Sequence, residues 1–214
     1  MLLVQRIAEW LREKRIFKRE RTPTEKRALG IALYEGGMSY EKAGQTVGVS
    51  RQAVKDWFAK AAGYFRSLRR RRRKRIAVDE KEIHMPEGDA YLWAAVDIDT
   101  DETIALMVSM GRSCLEALAF LEKVKRKCAG RLPRVFVDGG DWYPWAFKQA
   151  GFDRWNVMSF GPRSAIERFF SLVDHRYRRF WERFPFQSTI GSLLMWAEAF
   201  AGVINMRKHM LGVP

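Results

Sequence analysis

Cysteine is almost missing from this chain. Cys114 and Cys128 are the two in 214 residues, and they do not form a CxxC pair. Histidine is equally sparse, with His84, His175 and His209 scattered. These shortages argue against a Cys/His zinc site or a disulfide scaffold, and point to a reducing cytosol. No apolar run reaches about 18 residues, so no membrane-spanning helix is expected. No basic–apolar–small-residue leader opens the chain, so no signal peptide is expected. What is present is globular in composition, 47% apolar and 30% charged, and suits one medium domain or a small one joined to a medium one.

Charge is unevenly placed. Lys and Arg number 39 against 25 Asp and Glu, a net charge of +14. Residues 1–75 hold 21 basic and 7 acidic groups, whereas residues 76–214 hold 18 of each. A basic module joined to an electrically ordinary one is the pattern of a nucleic-acid-binding head. Arg66 to Arg75 reads RSLRRRRRKR. Like charges at that density resist packing, so residues 66–75 are expected to be a solvated linker or the exposed end of a helix. Arg69, Arg70, Arg71, Arg72 and Arg73 are candidates for contact with DNA phosphates.

In the first module, residues 1–65, Leu3, Ile7, Trp10 and Leu11 recur at helical spacing across residues 1–20. Pro23 separates that helix, a candidate dimer contact, from one over 25–35. Ser39 and Ser50 can cap helices at 40–47 and 51–62, with Gly48 in the turn between them. The stretch SYEKAGQTVGVSRQAVKDWFAK is similar to a helix-turn-helix of transposases and bacterial regulators. In that likeness Ala43 permits close crossing, and Val54 and Trp57 pack. The last helix would enter the major groove, with Arg51, Gln52 and Lys55 facing bases or phosphates. The bland alternative is a small helical bundle.

In residues 76–214 the pattern turns extended. Strands are expected at 76–84, 90–98 and 103–110, then a helix capped by Ser113 to about Lys127, a strand at 134–137 and a helix at 141–150. A strand at 156–160 follows, then a helix capped by Ser164 to about Glu182, and a last amphipathic helix over 189–209. Trp142, Trp145, Trp155, Trp181 and Trp196 read as core residues. The order β-β-β-α-β-α-β-α matches the RNase H-like fold. The expected fold class is therefore α/β, an RNase H-like mixed sheet with flanking helices, preceded by an all-α helix-turn-helix domain.

Four segments carry a resemblance: VDEKEI (78–83), AYLWAAVDI (90–98), VFVDGGDWYPWAF (135–147) and AIERFFSLVDHRYRRF (165–180). With the helix-turn-helix they resemble the DDE transposases of short insertion sequences. The resemblance implies that Asp79, Asp138 and Glu167 are the catalytic carboxylates and hold two Mg²⁺ ions, with Mn²⁺ as the alternative. Carboxylates suit such hard cations, and paired ions favour in-line displacement at phosphorus. Each acid also has a structural reading. Asp79 could face solvent, Asp138 could be a turn residue before Gly139, and Glu167 stands at a capping-box spacing from Ser164. Asp97, at the end of the second strand, is the rival for the first ligand. Where many relatives have two Asn before the helix with the Glu, this chain has Arg163 and Ser164. Arg168, Arg176, Arg178, Arg179 and Arg183 would suit transposon-end DNA or form a solvated face.

The expected activity is binding of transposon ends and metal-dependent strand cleavage and strand transfer. The resemblance implies double-stranded DNA as partner, a homodimer or higher assembly on it, no membrane, and a cytoplasmic, nucleoid-associated setting. Two alternatives stay open: an RNase H-like nuclease that cleaves without joining, and a non-catalytic helix-turn-helix DNA-binding protein.

Overall fold

The computed structural model describes residues 2–18, 21–158, 161–180, 184 and 188–211. They form eight α-helices, one 3-10 turn and a five-stranded mixed sheet. The chain divides into two compact units, one of Met1–Ser67 with Met195–Val213, the other essentially Leu68–Leu194. Two expectations change here. Most of the basic run belongs to the second unit, and the end of the chain belongs to the first.

The first unit holds α1 (Leu2–Glu13), α2 (Thr24–Glu35), α3 (Tyr40–Val47) and α4 (Arg51–Arg66). The first helix stops well short of residue 20; Arg19 and Glu20 lie outside the described residues. Ser39 accepts from the Lys42 amide at 3.1 Å and Ser50 from the Ala53 amide at 3.2 Å, each satisfying an orphan N–H of a helix start. Between α3 and α4, Gly48 takes φ +67°, a left-handed conformation that favours glycine. Ala43 is fully buried, and Gly44 also sits at a close approach, where a Cβ would lie 2.8 Å from the Val49 carbonyl oxygen of the turn. Ile7, Trp10 and Leu11 are buried inside this unit. Of the apolar stripe of α1, Leu3 alone stays exposed.

The last helix, α8 (Ile190–Leu211), changes character along its length. Every residue from Trp196 to Met206 is buried. A helix buried all round is a core helix, not an amphipathic one. It packs closely on α4, where a Cβ at Gly202 would meet the Ala61 carbonyl oxygen at 2.6 Å. Its polar groups are matched: Glu198 accepts from Arg66 at 2.6 Å, Trp196 donates to the Tyr34 hydroxyl at 3.2 Å, and Arg207 pairs with Glu35 at 2.6 Å.

The second unit is built on β1 (Arg75–Met85), β2 (Gly88–Asp97), β3 (Glu102–Ser109), β4 (Arg134–Val137) and β5 (Trp155–Val157), with α5 (Cys114–Lys125), α6 (Tyr143–Ala150) and α7 (Ser164–Tyr177). The sheet order is β3-β2-β1-β4-β5. The first three strands form an antiparallel meander, and β4 and β5 join parallel to β1. Antiparallel neighbours need only tight turns, whereas β1 and β4 need a crossover, which includes α5. Successive strand residues face opposite sides. Ile76 and Val78 join Phe120, Leu121, Tyr143 and Phe147 of α5 and α6 in one core. The other phase of β1 meets the α7 side, where Lys81 pairs with Asp174 at 2.8 Å. Burying each large apolar side chain of this core contributes roughly 1.5–3 kcal/mol.

Three boundaries differ from expectation. β5 covers 155–157, and Ser159 and Phe160 lie outside the described residues. α7 ends at Tyr177 and gives way to a 3-10 turn, Arg178–Phe180; Trp181 and Arg183 lie outside the described residues. Arg163, not Ser164, is the N-cap of α7, and no side chain caps it, so the capping box does not form.

Candidate active site

β1 pairs with β4 only as far as Ala77 and Phe136. Beyond that point β1 has no strand partner on this edge among the described residues. Asp79 and Glu80 stand on that overhang, and Asp138 follows the last residue of β4. Carboxylate oxygens of Asp79, Glu80 and Asp138 all lie within 4.8 Å of one another. The loop carrying Asp138 is fixed tightly. The Gly140 amide donates to Asp138 Oδ1 at 3.2 Å, and Gly139 has φ +104° with Val157 Cγ1 only 2.9 Å from where a Cβ would be.

Partners distinguish the three acids. Asp79 accepts from the Glu80 amide at 3.0 Å and from Arg163 Nη2 at 2.6 Å. Burial still raises its pKa, outweighing Arg163, with a further push from Asp138. The Glu80 side chain is 1% exposed, accepts from the Tyr143 hydroxyl at 2.6 Å, and faces Arg112 at 3.6 Å. Burial pushes its carboxyl up to about 7. The same contact lifts Tyr143 well above the usual tyrosine value, burial again being the main cause. Arg112 is held over the Trp142 and Tyr91 rings, its guanidinium 4.4 and 5.1 Å from their centroids. Asp138 is exposed.

Glu167 is in the first turn of α7 and exposed. It is not a member of the 4.8 Å group. It lines, with Asp79, Glu80, Asp174, His175 and Arg178, a groove of about 460 Å³. Two of the three expected ligands therefore meet, and the third borders the same space. Glu80 was missed by sequence reading. Its signal was its position in the Asp-Glu pair, on the strand phase of Ile76 and Val78.

Asp97 is committed elsewhere. Its Oδ2 lies 2.7 Å from Arg73 Nη1, and its Oδ1 accepts from the Asp99 and Thr100 amides at 3.0 and 3.3 Å. Arg73 also reaches Glu102 at 3.0 Å, and Arg71 reaches Glu102 at 2.6 Å. Arg73 is a buried structural cation, with a side chain 1% exposed. This corrects its expected role as a DNA contact. The wider run is also docked, not a free linker. Arg71 bridges Cys128 in parallel, Arg70 donates to the Cys128 carbonyl at 2.5 Å, and Arg75 pairs with Asp99 at 2.5 Å. Arg69 and Arg72 are exposed.

In the first unit Arg51, Gln52 and Lys55 are exposed on α4, with Gln52 donating to Asp56 at 2.7 Å. Val54 and Trp57 are buried. Along α7 and the 3-10 turn after it, the expected basic face divides. Arg176 is buried, Arg168 pairs with Asp101 at 2.9 Å, and Arg178 and Arg179 are exposed. Trp145 is exposed rather than core, at 44%. No helix among the described residues is long and apolar enough to cross a membrane.

Fold and site together define a mixed α/β protein with an acid-lined groove beside two parallel strands, and a second, all-helical unit. No protein-family model matches the chain. The chain is 30% identical over 213 residues to the uncharacterized protein MJ0017 of Methanocaldococcus jannaschii, covering 98% of this chain and 99% of that protein. It belongs to the same family as that archaeal protein.

Proposed function

We propose that this protein is a DDE-type transposase, a polynucleotidyl transferase that cuts DNA at element ends and joins 3′-hydroxyls to target phosphates. The observation that carries the reading is the meeting of Asp79 and Asp138, distant in sequence, with Glu80 in one 4.8 Å group beside the groove that Glu167 lines. The sheet order and its parallel β1–β4 pair support an RNase H-like second unit. The capped α3–α4 pair, with Arg51, Gln52 and Lys55 exposed, supports DNA binding by the first.

The donor set fits a divalent ion, since it is composed of hard carboxylate oxygens at close spacing. Asp79 and Asp138 would hold Mg²⁺ or Mn²⁺, with Glu80 adjacent and Glu167 across the groove. Such ions supply Lewis-acid activation of an attacking oxygen and stabilise the leaving one. The chain's own groups orient the acids: Tyr143 fixes Glu80, and the Gly140 amide fixes Asp138. His175 and Arg178 on the groove wall offer donors toward a phosphate backbone.

The test is a strand-transfer assay with purified protein, Mg²⁺ and duplex DNA bearing the element ends. Joined products are expected, falling to background in Asp79→Ala and Asp138→Asn. Nicks without joining would instead support a nuclease, equal yield from Asp138→Asn would remove Asp138 from the mechanism, and binding of the ends with neither nicks nor joined products would leave only DNA binding.

A further inference from the structure

Both oxygens of Asp79 are already engaged. Oδ1 accepts from the Glu80 amide at 3.0 Å, and Oδ2 accepts from Arg163 Nη2 at 2.6 Å. The Arg163 and Asp79 side chains are only 11% and 15% exposed, so water and salt screen the pair weakly. Arg163 is not otherwise well held. Its Nη1 reaches the Met158 carbonyl at 3.4 Å, a long contact, and its Nε is buried with no hydrogen-bond partner among the described residues. It projects from the N-cap position of α7, where no side-chain cap forms. A long arginine stem lets the head move while the backbone stays fixed.

We propose that Arg163 is a built-in competitor for the divalent cation, neutralising Asp79 while no ion is bound and leaving Oδ2 before Asp79 can ligate one. The inference rests on the metal site proposed above. A guanidinium and a dication cannot both take the same carboxylate lone pair, and their charges repel strongly at contact distance in a part-buried site. The incomplete hydrogen bonding of Arg163 lowers the cost of its release.

Mn²⁺ binding by the full chain, read from the electron paramagnetic resonance of free Mn²⁺ without DNA, tests this. Arg163→Gln is expected to bind at least about tenfold more tightly than the wild type, since a charge-assisted hydrogen bond no longer opposes the ion. Arg163→Lys keeps a cation and is expected to stay near the wild type. Equal or weaker binding by Arg163→Gln overturns the inference. A second measurement needs no variant. In nitrogen-15 spectra of the wild type, the Arg163 guanidinium signal should move with added Mg²⁺ in step with the Gly140 amide that bonds Asp138. An unmoved guanidinium signal beside a shifted Gly140 amide also overturns it. If neither protein binds Mn²⁺, the metal site and the inference fall together. Equal binding by both removes only the role of Arg163.

Discussion

Asp97 and Glu102 share Arg73, at 2.7 and 3.0 Å, with all three side chains at most 4% exposed. Arg71 adds a second cation on Glu102. On the same sheet, Asp79, Glu80 and Asp138 crowd within 4.8 Å of one another with Arg163 on the first and Arg112 more distant from the second. The first set matches two buried acids with two cations, Arg73 buried with them and Arg71 reaching in from the surface. The second has more acid than base and opens onto a groove. Burial with complete pairing holds a fold together, whereas incomplete pairing beside solvent leaves oxygens able to take another cation.

Four measurements break or sharpen this contrast. The largest effect is expected from Arg73→Met, which leaves buried Asp97 without a cation and Glu102 with Arg71 alone, and should cost about 3–5 kcal/mol in urea unfolding. A loss below about 1 kcal/mol would erase the distinction. Next comes pH. The Glu80 carboxyl is raised from 4.5 to about 7 in the fold, so the folded state binds a proton that the unfolded chain releases. Its stabilisation is full below pH 4.5 and is lost as pH rises through 7. Across that window the wild type should lose about 3 kcal/mol relative to Glu80→Gln, measured by denaturant unfolding at each pH. A smaller effect is expected from Asp138→Asn. It relieves repulsion and keeps the oxygen that accepts from Gly140, so stability should hold within about 1 kcal/mol or rise, while strand transfer disappears. The smallest is Lys81→Ala, which removes a partly exposed pair with Asp174 and should shift stability by less than about 1 kcal/mol.

Much of the local structure was legible because it is decided locally. Ser39, Ser50 and Ser113 cap the helices expected of them. Pro23 and Gly48 sit at the breaks, and the meander follows its alternation. Asp79 and Asp138 were found through short motifs that place them on β1 and after β4. The rest depended on partners far away in sequence. RSLRRRRRKR reads as a solvated stretch until Asp97 and Glu102 are known to face Arg73. Glu167 carries a capping-box spacing, but Arg163 takes the N-cap position, so the box is lost. The pattern over 189–209 shows an apolar stripe, yet nothing in it reveals that Glu198 and Asn205, on other faces, are buried too. Trp145 is apolar by type and exposed by position.

Asp79 and Asp138 were named through a family resemblance, with Asp97 left as rival; the sequence by itself determined most helix starts, the strand alternation and the basic bias of the first third. Those follow from propensities, caps and period, which act over a few residues. Only the tertiary structure decided which carboxylates are neutralised and which crowd together, and that the end of the chain completes the core of its beginning. Burial and charge pairing depend on distances across the fold, and spacing along the chain does not contain them.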